Sequence, residues 1–315
     1  MQDTNSFSTF YHDQLSGLVE QIEMERRKLV RRQAVGYILT ITSVIALFIS
    51  MQSDSQGLTI GAMVVLIAGI TLWAITWEGR KGYVRHFKET IVRKVIEFID
   101  PSFQYHPKGF INENDYKRSG LILDKHDDYE GDDYVEGKRE RTFFCFSELK
   151  TTRTEGSGKS RRTVTLFNGL FFIADFNKNI SGRTYVWSEA NPQLDFFKRI
   201  FSSVADGLEK VKLESTEFES RFIVYSTDQV QARYILTPSF MERMLRLEQK
   251  LGTGISFSFL QSEIYVAVPV KDKLFEPTFF RPNDYESVGD YYNTVHAVID
   301  IIDELRLNDR LWGKE

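Results

Sequence analysis

Two uninterrupted apolar runs, Ala34–Met51 and Leu58–Trp77, constrain this chain more than any other feature in it. They hold 18 and 20 residues and contain no Asp, Glu, Lys, Arg or His. As helices rising about 1.5 Å per residue they reach roughly 27 and 30 Å, one hydrocarbon thickness each. Lipid offers backbone amides no partners, so a lone spanning segment must be helical. The six residues between the runs, Gln52–Gly57, are polar and end in glycine, which predicts a tight turn and an antiparallel transmembrane hairpin over 34–77. A cleaved signal peptide would place its apolar core nearer the start and would not be followed at once by a second span.

Flanking charge sets the expected orientation. Arg26, Arg27, Lys28, Arg31 and Arg32 precede the first run, and Arg80, Lys81, Arg85, Lys88, Arg93 and Lys94 follow the second, whereas the turn carries no cation. Basic flanks stay in the cytoplasm, so both termini are expected there. Arg31, Arg32, Arg80, Lys81, Arg85 and Lys88 are the expected lipid-headgroup contacts, with Trp73 and Trp77 at interfacial depth. A single cysteine, Cys145, agrees with a reducing compartment and excludes both a disulfide framework and a multi-cysteine zinc site.

The spans continue into amphipathic flanks. Phe7, Phe10, Leu15, Leu18, Val19, Ile22 and Leu29 recur at helical spacing in an N-terminal segment 1–33. Tyr83, Phe87, Ile91, Val95 and Phe98 do so in a juxtamembrane segment 78–100, which Asp100-Pro101 should end. These read as stalks packing on each other or on a partner chain, the alternative being a helix lying on anionic lipid with Arg85, Lys88, Arg93 and Lys94 at the headgroups. Net charge is +1 over residues 1–100 and -5 over the remainder, -4 in all. That balance argues against a nucleic-acid partner, whose phosphates call for a basic face.

Residues 101–315 read as a cytoplasmic α+β domain of antiparallel sheet plus helices. Strands are expected at Gly120–Leu123, Arg141–Arg153, Arg162–Phe176 and Arg183–Trp187. Apolar residues on both faces of 162–176 mark that strand as central and covered on both sides. A short helix is expected near Leu194–Phe201, then strands at Lys210–Glu214 and Phe218–Tyr225. Helices follow at Gln229–Leu236, capped by Asp228 with Gln231 completing a capping box, and at Pro238–Leu251, ended by Gly252. A hairpin of Ser256–Leu260 and Ile264–Val270 and a last helix over Tyr285–Leu307 complete the domain.

Candidate chemistry is sparse. Gly156-Ser-Gly-Lys-Ser160 has the end of a phosphate loop, but Arg153 stands where its first glycine belongs and strands flank it, so a hairpin tip is expected. The acidic run from Asp124 to Asp133 lacks calcium-loop spacing and reads as a solvated turn around Gly131, with no metal expected. The five histidines show no ligand spacing, and Cys145, within Phe-Phe-Cys-Phe, reads as a buried thiol. Arg221, Asp228 and Arg233, charged beside apolar strands, are the candidate ligand-binding residues, although ion pairing and capping account for them equally well. No catalytic residue and no cofactor is expected.

The stretch from Glu214 to Pro238, with Glu217-Phe218, Phe222, Val224-Tyr225-Ser226, Asp228-Gln229 and Ala232-Arg233-Tyr234-Ile235-Leu236-Thr237-Pro238, resembles the signature of a bacterial two-span membrane family, domain of unknown function 3137. Tyr129-x-Gly131-Asp132-Asp133-Tyr134-Val135, Phe146-Ser147-Glu148 and Phe167-x-Gly169-Leu170-Phe171-Phe172 resemble that family's strands. The resemblance implies no reaction, and a LemA-type membrane protein as partner. The reading is a membrane-anchored cytoplasmic binding or scaffold module, forming a homo-oligomer or joining a partner membrane protein. The alternatives are a tethered ligand-sensing or hydrolytic domain and a pore subunit, for which Thr40, Thr42 and Ser43 are the available polar groups.

Overall fold

The computed structural model describes residues 4–53, 55–122, 125–176, 180–190, 207–271 and 273–307. They divide into two compact units. One is the chain up to Phe98 together with Phe275–Tyr292, and the other is Ile99–Leu274 together with the chain from Asn293 onward.

In the first unit, α1 (Ser6–Ser53) and α2 (Gln56–Ile99) are helices of 48 and 44 residues. Each apolar run and its expected stalk form one helix, interrupted only by one π turn in each, Tyr11–Leu15 and Lys88–Val92. The connection is tighter than the six residues expected, because α1 persists to Ser53 and α2 begins at Gln56. α2 stops at Ile99, one residue before Asp100-Pro101, where the proline ring disfavours helical backbone.

The two helices meet along a seven-residue repeat. Leu15, Ile22, Leu29, Gly36, Ser43 and Ser50 run along α1, and Ala62, Gly69, Thr76 and Tyr83 along α2; all are buried except the half-buried Leu29. That is the period of a left-handed helix pair. Within the two apolar runs every member is small, which lets the backbones approach closely. The hydroxyls on the seam bond inside their own helices, Ser43 and Ser50 to the carbonyls of Thr40 and Leu47 and Thr76 to that of Leu72, each at 2.8 Å.

In the second unit the described residues form one nine-stranded antiparallel sheet. Its strands are β1 (Gln104–His106), β2 (Asp128–Arg139), β3 (Thr142–Glu155), β4 (Arg162–Asp175), β5 (Arg183–Ser188), β6 (Glu209–Lys210), β7 (Phe222–Ser226), β8 (Ser256–Leu260) and β9 (Glu263–Pro269). Their order is β1-β2-β3-β4-β9-β8-β5-β7-β6, which puts β4 and β9 near the middle. Register assigns the faces: Glu136, Cys145, Ile173, Tyr265, Ser258, Tyr185 and Tyr225 are successive cross-strand partners and so share one face. Helix α3 (Glu113–Arg118) covers that face, with Tyr116 fully buried among Ile111, Leu121, Leu149, Phe171 and Trp187. Helix α6 (Pro238–Leu251) packs on the other face through Phe240 against Phe176 and Phe259. The end of α7 (Tyr285–Glu304) joins α6 through Lys250–Asp300 (2.5 Å) and Arg246–Glu304 (2.7 Å).

Several expectations need correction. Gly120–Ile122 is not a strand: Gly120 turns left-handed (φ 63°) after α3, and the Leu121 carbonyl accepts from Trp187 Nε1, so the segment caps the sheet instead of entering it. Phe218–Tyr225 divides into helix α4 (Thr216–Arg221) and β7, because the Ser215 hydroxyl accepts from Phe218 N–H and caps a turn that buries Phe218. The strand expected at Lys210–Glu214 shrinks to Glu209–Lys210. The acidic run is not a turn around Gly131; it enters β2, and Gly131 pairs with Leu149 in the ladder. A side chain there would meet Phe110 Cβ at 2.6 Å, a close approach that explains a glycine inside a strand. Gly156–Ser160 is the tip of the β3–β4 hairpin, as expected. The helix expected at Leu194–Phe201 lies outside the described residues.

Candidate functional site

The largest chemical anomaly on the molecule is the surface of α1 and α2. Only 17% and 11% of their most apolar windows are buried within the chain. Side chains such as Phe48 (65% exposed), Ile38, Ile41, Ile60, Val64 and Ile67 therefore point outward. A core helix hides such residues, and soluble chains rarely expose contiguous apolar patches beyond a few hundred Å². By length and composition both helices are candidate membrane spans.

Of the expected headgroup contacts, Arg31, Arg32, Lys81 and Arg85 are exposed, Lys81 pairing with Glu78 at 3.1 Å. Arg80 is half-buried, its guanidinium 5.0 Å above the Phe279 ring. Lys88 departs from the expectation. It is 4% exposed, in the π turn beside the fully buried Phe87, Ile91 and Val92, so it faces packed protein and not headgroups.

A segment distant in sequence completes the stalks. Phe275–Asn283 is irregular and carries a buried polar cluster against both helices. Arg26 forks onto Glu23 through Nε (2.7 Å) and Nη2 (2.6 Å) and donates Nη1 to the Phe279 carbonyl at 2.7 Å. Glu23 also accepts from the Asn283 N–H at 3.3 Å, and the Asn283 amide donates to the Tyr83 hydroxyl at 2.6 Å. Burial alone would raise the Glu23 carboxyl, but hydrogen bonds from Arg26, Arg27 and Asn283 outweigh it and hold the group below its ordinary range. Burial pushes the Tyr83 hydroxyl up to about 12. One glutamate thus ties α1 to this strap, and one asparagine ties the strap to α2. Sequence reasoning missed the cluster because its members lie some 250 residues apart; an i, i+3 Glu–Arg pair on the stripe of a stalk helix was the only local signal.

In the second unit, a cleft of about 480 Å³ opens at the margin of the α3-covered face, lined by Tyr134, Glu136, Lys138, Cys145, Asp175 and Glu263 among others. Two of its carboxylates are already engaged: Glu136 accepts from Tyr134 (2.8 Å), and Glu263 accepts from Tyr265 (2.5 Å) and pairs with Arg118 (3.2 Å), both outside the lining. Burial pushes the Cys145 thiol up to about 12, so it stays protonated at neutral pH and is a poor nucleophile. Nearby, carboxylate oxygens of Asp132, Asp133 and Glu148 lie within 4.8 Å of one another. Each already has a partner: Lys273 at 2.9 Å, the Tyr105 hydroxyl at 2.5 Å and the Leu274 N–H at 2.7 Å.

Arg221, Asp228 and Arg233 do not line this cleft. Arg221 pairs with the buried Glu248 at 3.0 Å, and Arg233 donates to the carbonyls of Gln229 and Lys212. Asp228 caps α5 (Gln229–Ile235), accepting from Val230 and Gln231 N–H, both at 2.9 Å. Gln231 does not close the capping box: its side-chain Oε1 accepts from Gly182 N–H at 2.7 Å, while Asp228 N–H donates to the Ser226 hydroxyl.

Residues 165–307 match the family model described as Protein of unknown function (DUF3137). The family resemblance holds over that segment. It runs from within β4 to the end of the described chain and takes in the signature around Asp228 and Pro238. No curated protein matches this chain. Among solved structures, the crystal structure of the mycobacterial trehalose monomycolate transport factor A, TtfA, is 12% identical and aligns with a TM-score of 0.35 over 71% of this chain and 96% of that one. A likeness that distant carries no weight for function.

Proposed function

We propose that this chain is a membrane-anchored binding or scaffold module without catalysis, its helical hairpin in the bacterial inner membrane and its sheet domain in the cytoplasm. The observation that carries the reading is the exposed apolar surface of α1 and α2, with Phe48, Ile41 and Ile67 outward and only small residues on the seam within the two apolar runs. Basic flanks on both helices and none in the turn favour cytoplasmic termini. The absence of ionisable side chains in the spans favours an anchor over a transporter. Thr40, Thr42 and Ser43 bond carbonyls of their own helix, which speaks against the pore alternative. The partner is a second copy of the chain or another membrane protein, a LemA-type protein being the one implied by the family resemblance.

The test is fractionation with alkaline extraction, joined to reporter fusions at the C-terminus. The protein should stay in the pellet with the reporter active in the cytoplasm, and should leave mild detergent as an oligomer or with a companion. Release by alkali or a periplasmic reporter refutes the anchor, and a lone monomer refutes the scaffold. The 480 Å³ cleft at Glu136 and Glu263 favours a second reading, ligand sensing by the sheet domain. A thermal-shift panel of cationic and polar metabolites tests it, and an unmoved transition rejects it.

A further inference from the structure

We propose that the turn Thr278–Arg281 is a second membrane contact, seating Phe280 in the headgroup layer beside the helical hairpin. The proposal rests on the anchor reading above.

Phe279 fixes the level of this turn. Its carbonyl accepts from Arg26, its ring lies 5.0 Å beneath the Arg80 guanidinium, and it lines one crevice with Gln33, Trp73, Thr76 and Trp77. Gln33 immediately precedes the first apolar run and Trp77 ends the second. Phe279 therefore marks the edge of the hydrocarbon from the protein side. Phe280, next in the chain, is 72% exposed, and its ring is perpendicular to that of Phe279 at 5.3 Å. The Thr278 hydroxyl closes the turn on the Arg281 carbonyl at 3.1 Å, and Pro277 and Pro282 stiffen its two ends.

A rigid turn with an outward aromatic and an exposed arginine, level with a tryptophan pair, has the composition of an interfacial anchor. The ring enters the boundary of the acyl chains and the guanidinium meets phosphate. Lipid fits better than a protein partner because the patch is continuous with the belt of Trp73 and Trp77, which are themselves exposed. The contact lies about two hundred residues from the hairpin in sequence, so it brings the segment entering α7 to the bilayer in addition to the spans on which it packs.

The test uses the full chain with Cys145→Ser and one new cysteine, Phe280→Cys or Phe48→Cys, carrying an NBD fluorophore. It is reconstituted into phosphatidylethanolamine–phosphatidylglycerol vesicles holding a spin label at the headgroup or at mid-chain. The expected result is a blue shift at 280 with quenching by the headgroup label and protection from an aqueous quencher, while 48 is quenched by the mid-chain label. Quenching at 48 with 280 open to the aqueous quencher overturns the second contact and leaves the anchor intact. No lipid quenching at 48 removes the anchor itself and this contact with it. Arg281→Cys supplies a second labelling position should a cysteine at 280 disturb the turn.

Discussion

Gly69 lies so close to Thr40 across the helical hairpin that a side chain on it would meet Thr40 Oγ1 at 2.7 Å and the Thr40 backbone nitrogen at 3.2 Å. A hydroxyl rotates away, but a backbone nitrogen does not. Gly69→Val should therefore force the helices apart at a cost of about 1–3 kcal/mol, the usual penalty for overpacking. Unfolding of the purified protein in mild detergent measures this. Gly61→Val is the control, since nothing lies within 4 Å of a side chain there.

The Glu23–Arg26 pair makes attachment of the strap dependent on pH. The native carboxyl is held below its ordinary range, so its contribution is complete above the unfolded value of roughly 4.3 and fades as pH falls through the lower native value. Hydrogen-exchange protection at Phe279–Asn283, relative to the unfolded chain at the same pH, should fall below about pH 4.3. Glu23→Gln should flatten that response. Arg26→Ala leaves the Glu23 carboxylate only Arg27 and the Asn283 N–H and should cost about 1–3 kcal/mol, and equal stability of Arg26→Ala and parent would refute the assignment.

Cys145, half-buried in the cleft wall, should react slowly with thiol reagents at neutral pH in the folded protein and faster on unfolding, because desolvation keeps the thiol protonated up to about 12. The raised value favours the fold, fully so below the unfolded thiol's roughly 8.5, and that contribution is lost as pH climbs toward the native value. Stability should decline as pH rises past about 8.5, and less steeply in Cys145→Ala. Rapid labelling of the native protein at neutral pH would contradict the raised value.

Two helix ends in the signature segment carry measurable energy. Asp228→Ala removes two hydrogen bonds at the start of α5 and should cost about 1 kcal/mol. Gly252, which ends α6 at φ 64° with open space around it, should lose roughly 1 kcal/mol as alanine through backbone strain alone. Denaturant titration separates both from Asp228→Asn, which keeps an accepting cap and should lie close to the parent.

Local chemistry was legible wherever a signal repeated or sat next to its partner. The 162–176 strand with apolar residues on both faces is β4, near the middle of the sheet, and Thr237-Pro238 to Gly252 bounds α6 residue for residue. The stripe Tyr83, Phe87, Ile91 and Val95 is buried, as its helical spacing predicts. Phe218 was misread because one serine cap outweighed the β-rich run after it, and Lys88 because charge says nothing of which side of a helix faces protein.

By itself, the sequence determined two membrane-length helices, an antiparallel α+β domain and the absence of a recognisable catalytic pattern, since hydrophobic period, caps and spacing all act within a few residues. Only the tertiary structure decided that Gly36 and Thr40 lie against Gly69, that Phe279 rests beneath Arg80, and that Arg221 is held by Glu248. Those relations join residues tens to hundreds of positions apart. They exist because folding removes polar and apolar groups from water together and each buried charge must find its partner wherever the chain has placed one.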